Sequence, residues 1–200
     1  MLSCRPSEVL KEPRPVQVEI PAARDDIVLL GTMPKQLTGK WNPEIKPDIV
    51  VCDSLRISSS RVMMAIKFWE RLGYDFGQIR INDTSRSCVV GPLYFEIVIG
   101  LPGVEYDWNY LAVTRVYKHI HTKEILWATI QLQQSSTSKQ RVLEHEIGHA
   151  LGWPHFNWQG HLMHPVWQNG GYNTTGLQPR YYKKLPVLLL PLSVEGDSDY

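Results

Sequence analysis

The residues 145–155, His145-Glu146-Ile147-Gly148-His149-Ala150-Leu151-Gly152-Trp153-Pro154-His155, are of types that can bind a metal and move a proton. They read H-E-x-x-H-x-x-G-x-x-H. His145 and His149 are four apart, so on a helix both imidazoles leave one face, one turn apart, and can share one ion. Glu146 lies beside that face, where a carboxylate reaches a water on the metal without ligating it. Gly152 lets the backbone leave the helix in a conformation awkward for a residue with a Cβ, and the turn returns His155 as a third ligand. Three nitrogens leave the fourth position of a tetrahedral Zn2+ open, as a catalytic site requires and a structural site avoids.

The metal-binding residues need a helix with one buried side. Thr137-Ser138-Lys139-Gln140 has the form of a capping box, a hydroxyl followed three residues later by Gln, and is expected to start that helix. Leu143, Ile147, Ala150 and Leu151 then form an apolar stripe nearly opposite His145 and His149. One side is buried, and the metal-binding side faces a cleft.

Around this helix the chain alternates strands and helices. Asp48–Cys52 is an apolar run expected as a buried strand. Ser58-Ser59-Ser60 offers N-caps for a helix through Leu72, stopped by Gly73, with Val62, Ala65, Ile66 and Trp69 on one face. Residues 78–81 and 94–99 alternate like strands, and 111–118 with 124–133 read as a hairpin. His119 and His121 in its turn point the same way, either as a second metal pair or as half-exposed strand residues. Residues 1–46 are proline-rich and read as an arm, with a strand only at 26–30. The arm packs along the domain or a neighbouring subunit, or is a pro-segment covering the cleft. A domain spans 47–185, ending in a short helix from Pro179 to Leu185, and 186–200 is a tail, first apolar, then acidic.

With 43% hydrophobic residues, 200 residues suit one compact domain plus extensions. A net charge of +1, from 21 basic and 20 acidic residues, argues against nucleic-acid binding and anionic-membrane binding. No stretch is long enough to cross a bilayer. Cys4, Cys52 and Cys88 are odd in number and lack metal-ligand spacing, which argues against a disulfide framework. No apolar run follows Met1, so the expected location is the cytoplasm, a destination reached by non-classical export, or a particle such as a phage virion.

The eleven-residue pattern resembles the metzincin zinc endopeptidases. Met163, in His161-Leu162-Met163-His164-Pro165, stands eight residues after His155, the spacing of the Met turn in matrix-metalloproteinase-like members, the matrixins. Their turn typically reads Ala-Leu-Met-Tyr-Pro, of which Leu162, Met163 and Pro165 match. Pro165-Val166-Trp167 is similar to the Pro-x-Tyr wall of their S1′ pocket, which implies a substrate-binding role and a preference for apolar side chains. Trp69 and Phe76 resemble their first helix and the strand entry after it. Cys4-Arg5-Pro6 resembles their zinc-blocking propeptide cysteine without its flanking residues. Two departures stand out. Phe156 matches none of the usual residues after the third His, and Pro165 occupies the place of the zinc-reaching Tyr of astacin-like members. The resemblance implies an α+β, metzincin-like zincin domain: a twisted, mixed and mostly parallel sheet, an antiparallel edge strand that pairs with substrate, an active-site helix and a Met turn. It implies a zinc-dependent endopeptidase acting on peptides or proteins, with Glu146 as general base. The rival reading is a structural component of a larger assembly, such as a virion, with a zinc-braced fold docked through the arm or the tail.

Overall fold

In β2 (Asp48–Cys52), side chains alternate between two buried faces. Ile49 and Val51 enter the main core, while Val50 and Cys52 join Val98 in a small second cluster. A strand buried on both faces belongs in the middle of a parallel sheet. The computed structural model, which describes residues 16–19 (backbone only), 38–104 and 106–179, places it so. β2 pairs in parallel with β3 (Ile79–Asp83) on one side and β4 (Glu96–Gly100) on the other. β4 pairs in parallel with β6 (Ile125–Leu132), and β5 (Ala112–Lys118) returns antiparallel to β6. The strands expected at 48–52, 78–81 and 94–99 and the hairpin at 111–133 are present within a residue or two, and the fold is the expected α+β mixed sheet.

A sixth strand was not foreseen. β1 (Val16–Glu19) pairs antiparallel with the outer side of β5, Val16 opposite Lys118 and Glu19 opposite Arg115. The sheet order is therefore β1-β5-β6-β4-β2-β3. β5 was expected to be the edge; among the described residues that holds only for Ala112–Thr114, beyond the register of β1. The strand expected at 26–30, the Cys4 segment, the tail and, apart from Pro179, the final helix lie outside the described residues.

Two helices cover the core face. α1 (Ser59–Arg71) starts where the serines indicated: Ser58 Oγ accepts the Arg61 N–H at 3.3 Å, and Gly73 (φ 97°) ends the helix. Val62, Ala65, Ile66 and Trp69 are fully buried. α3 (Val142–Ala150) carries the metal-binding pattern. The two helices are tied by a buried fork, Arg61 Nη1 and Nη2 donating to Glu144 Oε1 and Oε2 at 2.9 and 2.7 Å, and by Trp69 Nε1 donating to Glu144 O at 2.8 Å. A bidentate pair of this kind fixes geometry more than it adds net stability.

The start of α3 differs from expectation. No capping box forms; Arg141 precedes the helix at φ 70°, and Thr137 Oγ1 donates back to Gln134 O. Tertiary partners take the local carbonyls instead. Lys139 O accepts Arg61 Nη2 at 3.3 Å, and Gln140 O accepts Trp167 Nε1 at 3.0 Å.

The cysteine expectation is corrected too. Cys52 and Cys88 form a disulfide that pins α2 (Arg86–Val89) to the sheet face opposite α1 and α3. Pairing across 36 residues leaves no local sequence sign.

The described end of the proline-rich segment packs along the domain. Trp41 is in the main core, its Nε1 donating to Ala150 O at 2.9 Å. Thr38 N donates to Gly152 O at 2.9 Å. Gly152 sits at φ 97°, and a Cβ there would run into the Gly39 carbonyl, so two requirements meet on this one glycine.

Candidate active site

α3 brings His145 and His149 one turn apart, and the turn after Gly152 brings His155 to them. One ring nitrogen from each of the three lies within 4.8 Å of the others. His145 Nδ1 is 2.8 Å from Leu162 O, and His149 Nδ1 is 2.7 Å from Trp153 O. A carbonyl only accepts, so both Nδ1 atoms carry the proton and both Nε2 atoms present a lone pair. Yet the two Nε2 atoms lie 3.0 Å apart. With no hydrogen between them this is not a hydrogen bond. It is the spacing of two ligands on one ion; bonds of about 2.0–2.1 Å in a tetrahedral site put nitrogens roughly 3.3 Å apart. The residues fit a zinc ion, and the two carbonyls are the outer groups that orient its ligands.

Burial shapes the titration of the site. It makes His149 hard to protonate, as do its neighbours His145 and His155. Burial, then His145 and His164, push His155 down to about 3. Imidazoles held neutral are ready to ligate a cation at neutral pH.

Glu146 is buried on α3, and burial raises its carboxyl to about 7 against the opposing hydrogen bond from Thr114. Thr114 Oγ1, on β5, donates to Glu146 Oε2 at 2.6 Å. Sequence reasoning missed Thr114, since only the packing of α3 on β5 brings it there.

The segment His161–Pro165, expected as a Met turn, lies under α3. Met163 is fully buried, and a Cβ on Gly148, between the two helical histidines, would stand 2.5 Å from its Sδ. Phe156 N donates to Met163 O at 2.8 Å, joining the segment after His155 to the turn. His161 Nδ1 accepts the Met163 N–H at 3.1 Å, so the histidine in the first position of the turn braces it.

A cavity of about 390 Å³ opens in front of the three histidines and Glu146. Ala112–Thr114 line one side, and Pro165, Val166 and Trp167 another, together with Lys139 and Arg141. The residues singled out in the sequence thus converge on one cleft. His119 and His121 do not belong to it; they are exposed in the hairpin turn, and among the described residues no third ligand joins them.

Residues 110–181, from the cleft rim past the Met turn, match the Peptidase M10 family model, matrixin. Over that stretch the chain is similar to the matrixins, a metzincin family. No curated protein matches it. Matrixins are zinc-dependent peptidases, and this domain has three imidazoles placed to bind such a metal. Among the described residues, no helix of the domain is long and apolar enough to cross a membrane.

Proposed function

We propose that the protein is a zinc endopeptidase in which His145, His149 and His155 ligate the metal and Glu146 is the general base. The observation that carries this reading is the opposed Nε2 pair of His145 and His149, each ring keyed by a carbonyl, with the buried carboxyl of Glu146 on the same helix. Bound Zn2+ supplies a Lewis acid that acidifies water and polarises a scissile carbonyl. Glu146, held at Oε2 by Thr114, takes the proton from the attacking water and delivers it to the departing amine nitrogen. Met163 supports the ligand helix from below without ligating the metal.

The substrate is a peptide or protein chain. Its main chain adds to the open edge of β5 at Ala112–Thr114, and Pro165, Val166 and Trp167 wall the pocket for the residue after the scissile bond. Residues 1–46 act as an arm and 47–185 as the catalytic unit. The Cys52–Cys88 disulfide favours action in a non-reducing setting, outside the cytoplasm or in a particle. A purely structural zinc site in a larger assembly has no need of Glu146, whose burial costs stability.

The test is a mixed-peptide cleavage assay on the holoprotein, repeated after chelation and after zinc is restored. Cleavage that disappears with the metal and returns with it supports the reading. A zinc-loaded protein that cleaves nothing, or cleavage indifferent to chelation, contradicts it.

A further inference from the structure

Lys139 and Arg141 line the cavity together with Trp167, and among the described residues its only anionic lining side chain is Glu146. The Arg141 guanidinium carbon lies 5.2 Å from the Trp167 ring centre and 5.9 Å from that of Tyr172. Lys139 Nζ lies 5.4 Å from the same indole. Among the described residues neither cation has an ion-pair partner. Arg141 makes one long hydrogen bond, Nη1 to Trp167 O at 3.4 Å, which leaves most of its five donors available. Its position is set by the chain: Arg141 stands one turn before His145, whose N–H donates to Arg141 O at 2.8 Å.

Two cations gathered on one indole repel each other, and the ring face offsets only part of that. A group entering past His145 therefore meets an apolar wall topped by uncompensated positive charge. We infer that this cavity selects a substrate carboxylate, carried by an acidic residue directly after the scissile bond or by a nearby free C-terminus. A glutamate there lays its methylenes on Trp167 and presents two oxygens to the Arg141 fork, the geometry in which guanidinium binds carboxylate best. The expected apolar preference then applies to the stem of the side chain and not to its end. The inference rests on the peptidase reading above.

Two peptide pairs test it: one differing only by Glu or Gln after the scissile bond, the other, neutral there, with a free or an amidated C-terminus. The expected preference for the carboxylate is about tenfold or more in kcat/KM, the scale of a charge-assisted hydrogen bond. It should shrink in Arg141→Gln and in Lys139→Gln, and at high salt. Preference in the first pair assigns the carboxylate to a side chain, in the second to a chain end. The same pairs are titrated against the zinc-loaded Glu146→Gln protein, where Kd needs no turnover. Parity in both pairs, in both assays, overturns the inference. Absence of cleavage with intact discrimination in Kd would instead count against the peptidase reading alone. If Arg141→Gln does not fold, Lys139→Gln and the salt series read the same ratio.

Discussion

Gly148 lies so close against Met163 that a Cβ on the glycine would stand 2.5 Å from the sulfur and 3.0 Å from Cε. α3 is thus seated directly on the segment that carries Met163, with Trp69 Cζ2 closing the remaining side at 2.9 Å. In an exposed helix Gly→Ala would gain about 1 kcal/mol. Here Gly148→Ala is expected to lose about 1–3 kcal/mol, because overpacking displaces α3 or the turn. Urea denaturation of the two proteins checks the sign.

Among the described residues, β1 covers β5 at 115–118 and nothing pairs with the outer side of Ala112–Thr114. Deleting residues 1–25 should leave zinc binding intact and open the whole β5 edge to an extended chain. Cleavage of long peptides should rise relative to short ones. An unchanged ratio would show that substrates make no use of that part of the edge.

The Cys52–Cys88 disulfide closes a 36-residue separation on the sheet face away from the cleft. Chain-entropy reasoning gives it up to about 4 kcal/mol. Replacing both cysteines by Ala should lower the thermal midpoint while leaving zinc content and kcat/KM near wild type. A large loss of activity in the still-folded protein would link this face to the cleft.

The buried site also sets how stability depends on pH in chelated protein. His155 titrates near 3 in the fold against an ordinary 6.5, and His145 and His149 are shifted in the same direction. The unfolded chain then binds more protons, so their contribution is complete above 6.5 and is lost as pH falls. Glu146, raised from 4.5 to about 7, works the other way, contributing below 4.5 and losing that contribution as pH rises through 7. Between 4.5 and 6.5 three histidines oppose one carboxyl, so the urea midpoint of chelated protein should climb with pH. A flat or falling midpoint over that window would contradict the burial of these imidazoles.

How much the sequence revealed followed from the range of each interaction. The gathering of His145, His149 and His155 and the cap of α1 depend on spacing within a turn or two, so both could be read directly. Thr114 reaches Glu146 across 32 residues and Arg61 reaches Glu144 across 83, and neither leaves a local mark. The capping box does not form: the helix starts only at Val142, after Arg141 at φ 70°, and the Thr137 hydroxyl donates to Gln134 O instead. β1 escaped notice because its four residues acquire a strand's meaning only beside β5. Arg141 was the exception: four residues before His145, its place on the metal-binding face was there to be read.

The central claim is that three histidines hold zinc while Glu146 moves the proton. The most direct measurement is zinc content and peptide cleavage determined together on wild type and Glu146→Gln. The expected result is one zinc per chain in both proteins, with cleavage lower in the variant by about two orders of magnitude or more, the scale of a positioned general base. A variant that keeps its zinc and cleaves as fast as wild type would contradict the claim.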